Sequence, residues 1–164
     1  YENAIEIQPG QKSILYKGKK FPIKWDKVIL PSDPGGMEHD NGFSKQTRKR
    51  KITQFIAHWD VCLNAKTCAK VLANRNVSVH FCIDNDGTII QLHDINDACW
   101  HAGNRKVNHS GVGVEISNAY YPKYQNFSLI KIPLLLLMII GIIILMEMLL
   151  ISVKHFRVLI ILKL

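Results

Sequence analysis

Seven histidines stand in this chain, and five of them fall between residues 58 and 109. A neutral imidazole offers a lone pair to zinc and exchanges a proton near neutral pH. His58 lies near the end of the apolar run Phe55-Ile56-Ala57-His58-Trp59-Asp60. A side chain at a strand end is held on a rigid element and faces the rim of a sheet, where a substrate reaches it. Glu115 is the acid inside Gly111-Val112-Gly113-Val114-Glu115-Ile116. A carboxylate buried alone is costly, so such a residue is paired, at an edge, or functional. Burial would raise its pKa and suit it to proton transfer near neutrality. Taken singly, a histidine at a strand end is as a rule structural or superficial, and the acid leaves both readings open.

The elements that must hold these groups are legible around them. Ile52 to Trp59 alternates as a strand. Asn64 is placed to cap a helix running to about Asn74, with Ala65, Ala69, Val71 and Leu72 on or near its apolar face. Val77 to Ile83 reads as a strand with Val77, Val79, Phe81 and Ile83 on one side. Asp84-Asn85-Asp86-Gly87 is a hairpin turn, and Thr88 to Leu92 its return strand. Val112 to Ile116 is a further strand, with Gly111 and Gly113 allowing close backbone approach. Upstream, Ser13 to Ile23 reads as a hairpin about the turn Lys17-Gly18-Lys19-Lys20, and Pro22 suits an edge. Pro31 to Gly42 is a loop rich in breakers. The pattern predicts an α/β fold: a mixed central β-sheet flanked by helices.

Composition divides the 164 residues. Residues 1–126 hold 17 Lys and Arg against 12 Asp and Glu, whereas 24 of residues 127–164 are Leu, Ile or Met. The net charge of +8 therefore averages a polar part and a greasy tail. Lys45 to Lys51 carries five basic residues in seven. The plain expectation is a solvated loop; the sharper one is attraction to an anionic wall polymer or nucleic acid. Cys62, Cys68, Cys82 and Cys99, spaced by 6, 14 and 17, form no CxxC knuckle and read as mostly buried reduced thiols. The chain begins with Tyr1, and no basic start followed by an apolar run opens it, so a processed product or a fragment is expected rather than a secretory precursor. Ile132 to Val153 spans 22 residues with Glu147 as its one charge, long enough for a bilayer crossing. Out-of-frame translation of an AT-rich gene is the favoured reading of the tail, ahead of a membrane anchor, and a buried core helix is the third.

Five short blocks lead to a resemblance. They are Ile56-Ala57-His58-Trp59, Val77-Ser78-Val79-His80-Phe81-Cys82-Ile83, Asp86-Gly87-Thr88-Ile89-Ile90-Gln91-Leu92, Ala98-Cys99-Trp100-His101-Ala102-Gly103 and Gly111-Val112-Gly113-Val114-Glu115-Ile116. Each is weak alone. In this order the chain resembles the zinc-dependent N-acetylmuramoyl-L-alanine amidases of type 2, which include peptidoglycan-recognition proteins and phage endolysins. The resemblance covers about residues 50–120. It implies a hydrolase of bacterial cell walls, cutting the amide between the lactyl group of N-acetylmuramic acid and L-alanine with a zinc-activated water. His58 matches the first Zn²⁺ ligand. Glu115 matches the acid that handles the proton of that water; the tyrosine used for this in another branch is replaced by Val79. His80 and His101 match positions that line the cleft and shape it or touch substrate. The partner implied is peptidoglycan, with no nucleic acid, and a membrane only through residues 132–153.

The resemblance stops short. The family's second ligand, a His, and its third, an Asp or Cys, lie well after the glutamate strand. After His109 only His155 remains, with no Asp or Cys behind it. The expectation is thus residues 1–49 as hairpin and basic loop, residues 50–126 as an amidase-like core incomplete at its C-terminus, and residues 127–164 as a hydrophobic, helical tail. The alternatives to an impaired amidase are a non-catalytic peptidoglycan-binding module and an inactive membrane-attached fragment.

Overall fold

The computed structural model describes residues 9–117 and the backbone of residues 157–161. Strands β1 (Ser13–Tyr16) and β2 (Lys19–Pro22) form an antiparallel hairpin with Tyr16 opposite Lys19. Its turn is therefore the two residues Lys17 and Gly18, at φ 52° and 71°, rather than four. Two successive left-handed residues match the twist of paired strands. Both turn N–H groups donate to the Asp94 carboxylate, at 2.8 and 2.7 Å, which ties the hairpin to the body.

Next come β3 (Val28–Ile29), β4 (Phe43–Ser44) and β5 (Gln54–Trp59). Helix α1 (Ala65–Asn74) follows, and Asn64 caps it by accepting the Thr67 N–H at 2.8 Å. Then come β6 (Phe81–Ile83), β7 (Ile89–Gln91), β8 (Ala98–Cys99), α2 (Arg105–Ser110), β9 (Gly111–Ile116) and β10 (Arg157–Ile161). Among the described residues the central sheet has six strands, in the order β10-β5-β9-β6-β7-β3. Only β6 and β7 run antiparallel, joined by the turn in which Gly87 takes φ 87°. β10, β5, β9 and β6 are mutually parallel. β4 and β8 form a small separate pair. This is a mixed α/β fold with a mixed central sheet and two helices among the described residues.

Strand periodicity sorts the two faces. Phe55, Ala57, Phe81, Ile83, Val112 and Val114 share a core with Ile14, Tyr16 and Ile23, so the N-terminal hairpin covers one face. Cys82 and Ile90 on the other face pack with Ala65, Cys68, Ala69 and Leu72 of α1. The hairpin thus belongs to the same core as the strands, across the boundary expected at residue 49.

Two expectations change. Val77 to Ile83 is not one strand: Phe81 and Ile83 face the hairpin, whereas Val77 and Val79 belong with α1. The side-chain alternation slips because Ser78-Val79-His80 turns inward, where the Ser78 N–H donates to the Trp100 carbonyl and the His80 N–H to that of Gly113. At the C-terminal end, residues 157–161 are not helical. They pair with β5, Arg157 opposite Gln54 and Ile161 opposite His58. Among the described residues no helix is long and apolar enough to cross a membrane. The span 132–153 lies outside the described residues.

Candidate active site

His58 and Glu115 are direct register partners on the parallel neighbours β5 and β9. Residues paired in this way project from the same face of a sheet. Both are 2% exposed. Cys82 continues the row, opposite Glu115 on β6. Two residues before Glu115, Gly113 leaves a gap: a Cβ there would lie 2.6 Å from two carbons of the His101 ring. The ring fills that gap and meets His58, with Nδ1 of His101 3.0 Å from Nε2 of His58 and the rings edge to face at 78°. The His101 backbone is held as well. Asn108 on α2 accepts the N–H of His101 at 3.2 Å and of Ala102 at 2.8 Å. Trp100, next to it in the chain, is 45% exposed.

His80 lies elsewhere. It is fully buried, and both ring nitrogens are committed. Nδ1 accepts the Gly113 N–H at 3.0 Å, so Nε2 must carry the hydrogen that bonds the Asp97 carbonyl at 2.8 Å. The ring is therefore the neutral Nε2–H tautomer, and the Arg50 guanidinium nitrogen 3.1 Å from Nε2 is a neighbouring charge whose own hydrogen goes to the Ile95 carbonyl. Burial, and then the Arg50 charge, hold the His80 pKa well below the ordinary histidine range. His80 props the β9 backbone beneath His101 and presents no nitrogen to a cleft.

Arg50 corrects the reading of the basic run as a solvated loop. Lys45, Thr47, Arg48, Lys49 and Lys51 are exposed, but Arg50 is 3% exposed. Its guanidinium donates to the carbonyls of Asn108 (3.1 Å), His109 (2.8 Å), Gly111 (2.7 Å) and Ile95 (2.7 Å). Two of these end α2, where orphan carbonyls and the helix dipole favour a cation. Burial lowers its pKa to about 10, so it stays charged at neutral pH. Arg50 fixes the C-terminal end of α2, which carries Asn108, and through Asn108 the His101 backbone.

Beyond the row, Asp60 follows β5. Its carboxylate accepts the Cys62 N–H at 2.8 Å and the Ser117 hydroxyl at 2.7 Å. All four cysteines are free thiols, with Cys68, Cys82 and Cys99 buried and Cys62 half-buried. Burial, then the Asp60 charge, push the Cys62 thiol up to about 12. A separate cluster joins His93 Nε2 to the Ser78 hydroxyl at 2.7 Å, with Phe43 stacked 4.1 Å from the His93 ring. Burial lowers His93 to about 4. Since Ser78 has no exposed surface, this Ser–His contact is a core hydrogen bond and not a nucleophile with its base.

The structure thus gathers His58, Glu115 and His101 and leaves His80 behind them. Arg50, Asn108 and the Asp60–Cys62–Cys68 group escape a sequence reading. A buried arginine inside a run of exposed basic residues carries no local signal, and Asn108 contacts residues in a different loop. The closest signal is the spacing between Cys62 and Cys68, which gains meaning only once α1 packs on the sheet against Cys82 and Ile90.

The sequence model of the family described as N-acetylmuramoyl-L-alanine amidase matches residues 48–132. Among solved structures, the chain is similar to Drosophila peptidoglycan recognition protein PGRP-SA, at 18% identity over 81% of this chain and 79% of that one, with a TM-score of 0.57. It is also similar to PGRP-Hd from Alvinella pompejana, at 13% identity over 81% and 85%, with a TM-score of 0.53. These two likenesses establish the fold. A mutant endolysin from Bacillus subtilis matches at 27% identity over 55% and 60%, with a TM-score of 0.37. No curated protein matches the chain.

Proposed function

Since the chain belongs to the N-acetylmuramoyl-L-alanine amidase family, we propose that it hydrolyses the amide between N-acetylmuramic acid and L-alanine in peptidoglycan. The observation that carries this reading is the placement of His58 and Glu115 as register partners on one face, with His101 against His58.

Zinc is the metal of this reading, and His58 its proposed ligand. As a single donor, a neutral imidazole at this place suits zinc. The 3.0 Å contact between His58 Nε2 and His101 Nδ1 gives the imidazole of His58 a neighbour that orients its ring. A ligating histidine whose other nitrogen is held by a neighbour is the usual arrangement. Zinc, when bound, lowers the pKa of a water and polarises a carbonyl. Among the described residues, no group of three ligand atoms within 4.8 Å of one another includes His58. What remains is the work of the side chains. Glu115 is proposed to take the proton of the attacking water and return it to the departing L-alanine nitrogen. His101 orients His58 and contacts the substrate at the mouth of the site, while the sheet beneath excludes water.

Two variants test this on purified wall fragments. His58→Ala should abolish bound zinc and release of L-alanine-terminated peptides; retained activity removes His58 as ligand. Glu115→Gln should leave zinc bound and slow turnover by roughly 10²-fold or more, the range for proton-transfer groups; unchanged turnover removes Glu115 from the mechanism. A second reading is a peptidoglycan-binding module without catalysis. It is favoured by the incomplete ligand set at His58 among the described residues. Sedimentation with walls in the absence of zinc and of cleavage would select it.

A further inference from the structure

The three ligand-type side chains that do converge lie one step beyond His58. Ligand atoms of Asp60, Cys62 and Cys68 are all within 4.8 Å of one another. The chain goes to some trouble to bring them there. Val61 stands between the first two at φ 54°, a left-handed backbone that a β-branched residue rarely adopts. That reversal at the end of β5 returns Cys62 toward Asp60, whose carboxylate accepts the Cys62 N–H. The carboxylate is anchored from the other side by the Ser117 hydroxyl, just past β9. Cys68 comes from the first turns of α1, on the face that packs on the sheet, with Cys82 of β6 against it.

We propose that Asp60, Cys62 and Cys68 form a binding site for one thiophilic divalent cation of the zinc or cadmium class, distinct from the site at His58. Two soft sulfurs and one carboxylate oxygen suit a d¹⁰ ion and do not suit magnesium or calcium. Binding exchanges the two thiol protons for the dication: both protons go to solvent, two metal–sulfur bonds form, and no electron moves. The Asp60 carboxylate brings its own negative charge, and a solvent molecule completes four-coordination on the half-exposed side of Cys62. The ion joins the end of β5 to α1 and so braces the strand that carries His58. Its place is independent of the catalytic reading, because it uses none of His58, Glu115 or His101.

The test uses the full chain, reduced, stripped with a chelator and titrated anaerobically with Co²⁺ as a visible substitute for Zn²⁺. One equivalent should raise a sulfur-to-cobalt charge-transfer band, and Zn²⁺ should displace it. The band should persist in His58→Ala and in Cys99→Ser. It should be lost, or Co²⁺ affinity weakened by roughly 100-fold or more, in Cys62→Ser and in Asp60→Asn, beyond the 10- to 100-fold cost of an outer-shell partner. Cys62 is half-buried, so its serine variant is expected to keep the fold; far-ultraviolet circular dichroism checks this. The proposal is overturned if no charge-transfer band appears, or if the band vanishes in His58→Ala but survives in Cys62→Ser. It is equally overturned if the chain isolated without reductant holds Cys62 and Cys68 as a disulfide that binds no metal.

Discussion

Gly113→Ala is a one-methyl perturbation aimed at the contact between His58 and His101. Gly113 is not among the residues with positive φ, so its small size serves space rather than backbone geometry. An alanine Cβ would stand 2.6 Å from Cγ and Cδ2 of the His101 ring and 2.8 Å from Nε2. Ordinary carbon contacts begin near 3.5 Å, so the ring must retreat by about 1 Å. It cannot do so freely, because Asn108 holds the His101 backbone and Nδ1 lies 3.0 Å from His58. A retreat of that size takes the nitrogen–nitrogen distance to about 4 Å, outside hydrogen bonding. Overpacking of this kind costs about 1–3 kcal/mol. With His101→Ala in place the obstruction is gone. The glycine substitution should then be neutral or stabilising by about 0.5 kcal/mol, since Gly in a strand is worse than Ala. Urea unfolding of wild type, both single variants and the double variant gives the cycle, with an expected coupling of about 1–3 kcal/mol. Equal costs of Gly113→Ala in the two backgrounds would show that the ring does not occupy the gap.

The remaining predictions concern the frame around the site. Arg50→Met removes the donor to four carbonyls, and each buried carbonyl left without one costs about 1–3 kcal/mol. The variant should lose about 3 kcal/mol or more of stability and loosen His101, visible as faster hydrogen exchange at His101 and Ala102; a neutral variant would show that solvent replaces the guanidinium. Stability should also fall in acid before most carboxylates titrate. His93 is lowered to about 4 from 6.5, and His39 and His80 are lowered too, all chiefly by burial. The folded chain therefore binds fewer protons than the unfolded one in this window. Stability is fully present above pH 6.5 and is lost as pH falls toward 4. His93 alone contributes a slope of about 1.4 kcal/mol per pH unit there. Urea midpoints that stay flat between pH 6.5 and 4.5 would refute the neutral burial of these rings.

Much of the frame is legible along the chain because it rests on local rules. Asn64 declares its helix by a side chain that competes for the Thr67 N–H, and Asp84 to Gly87 declares its turn through a glycine at φ 87°. The alternation of Phe55, Ala57 and their neighbours separates the faces of β5 before any partner is known. What stays hidden depends on long-range partners. The change of face at Ser78-Val79-His80 is caused by Trp100 and Gly113, far away in sequence. The strand Arg157–Ile161 sits in an apolar stretch whose uniformity offers no period to distinguish strand from helix. His80 looks like His58 in sequence, an imidazole beside apolar residues. Its role is settled only by the two hydrogen bonds that use up its nitrogens.

The position of the proposed chemistry follows from strand direction. β5, β9 and β6 are parallel, so their carboxyl ends lie along one edge of the sheet. His58 is the fifth of six residues in β5 and Glu115 the fifth of six in β9. Asp60 and Ser117 are the first residues past those ends and bond each other. The carboxyl edge of parallel strands is where α/β sheets ordinarily place ligands, because loops leave there and side chains can converge without breaking the ladder. β10 adds a fourth parallel strand with Ile161 level with His58. The ladder therefore flanks His58 on both sides, by Glu115 and by residue 161. An imidazole between two paired strands cannot shift along the sheet without breaking two sets of backbone hydrogen bonds. That rigidity positions a ligand or proton carrier to within a fraction of an ångström, and a loop-borne histidine in the same pocket would lack it.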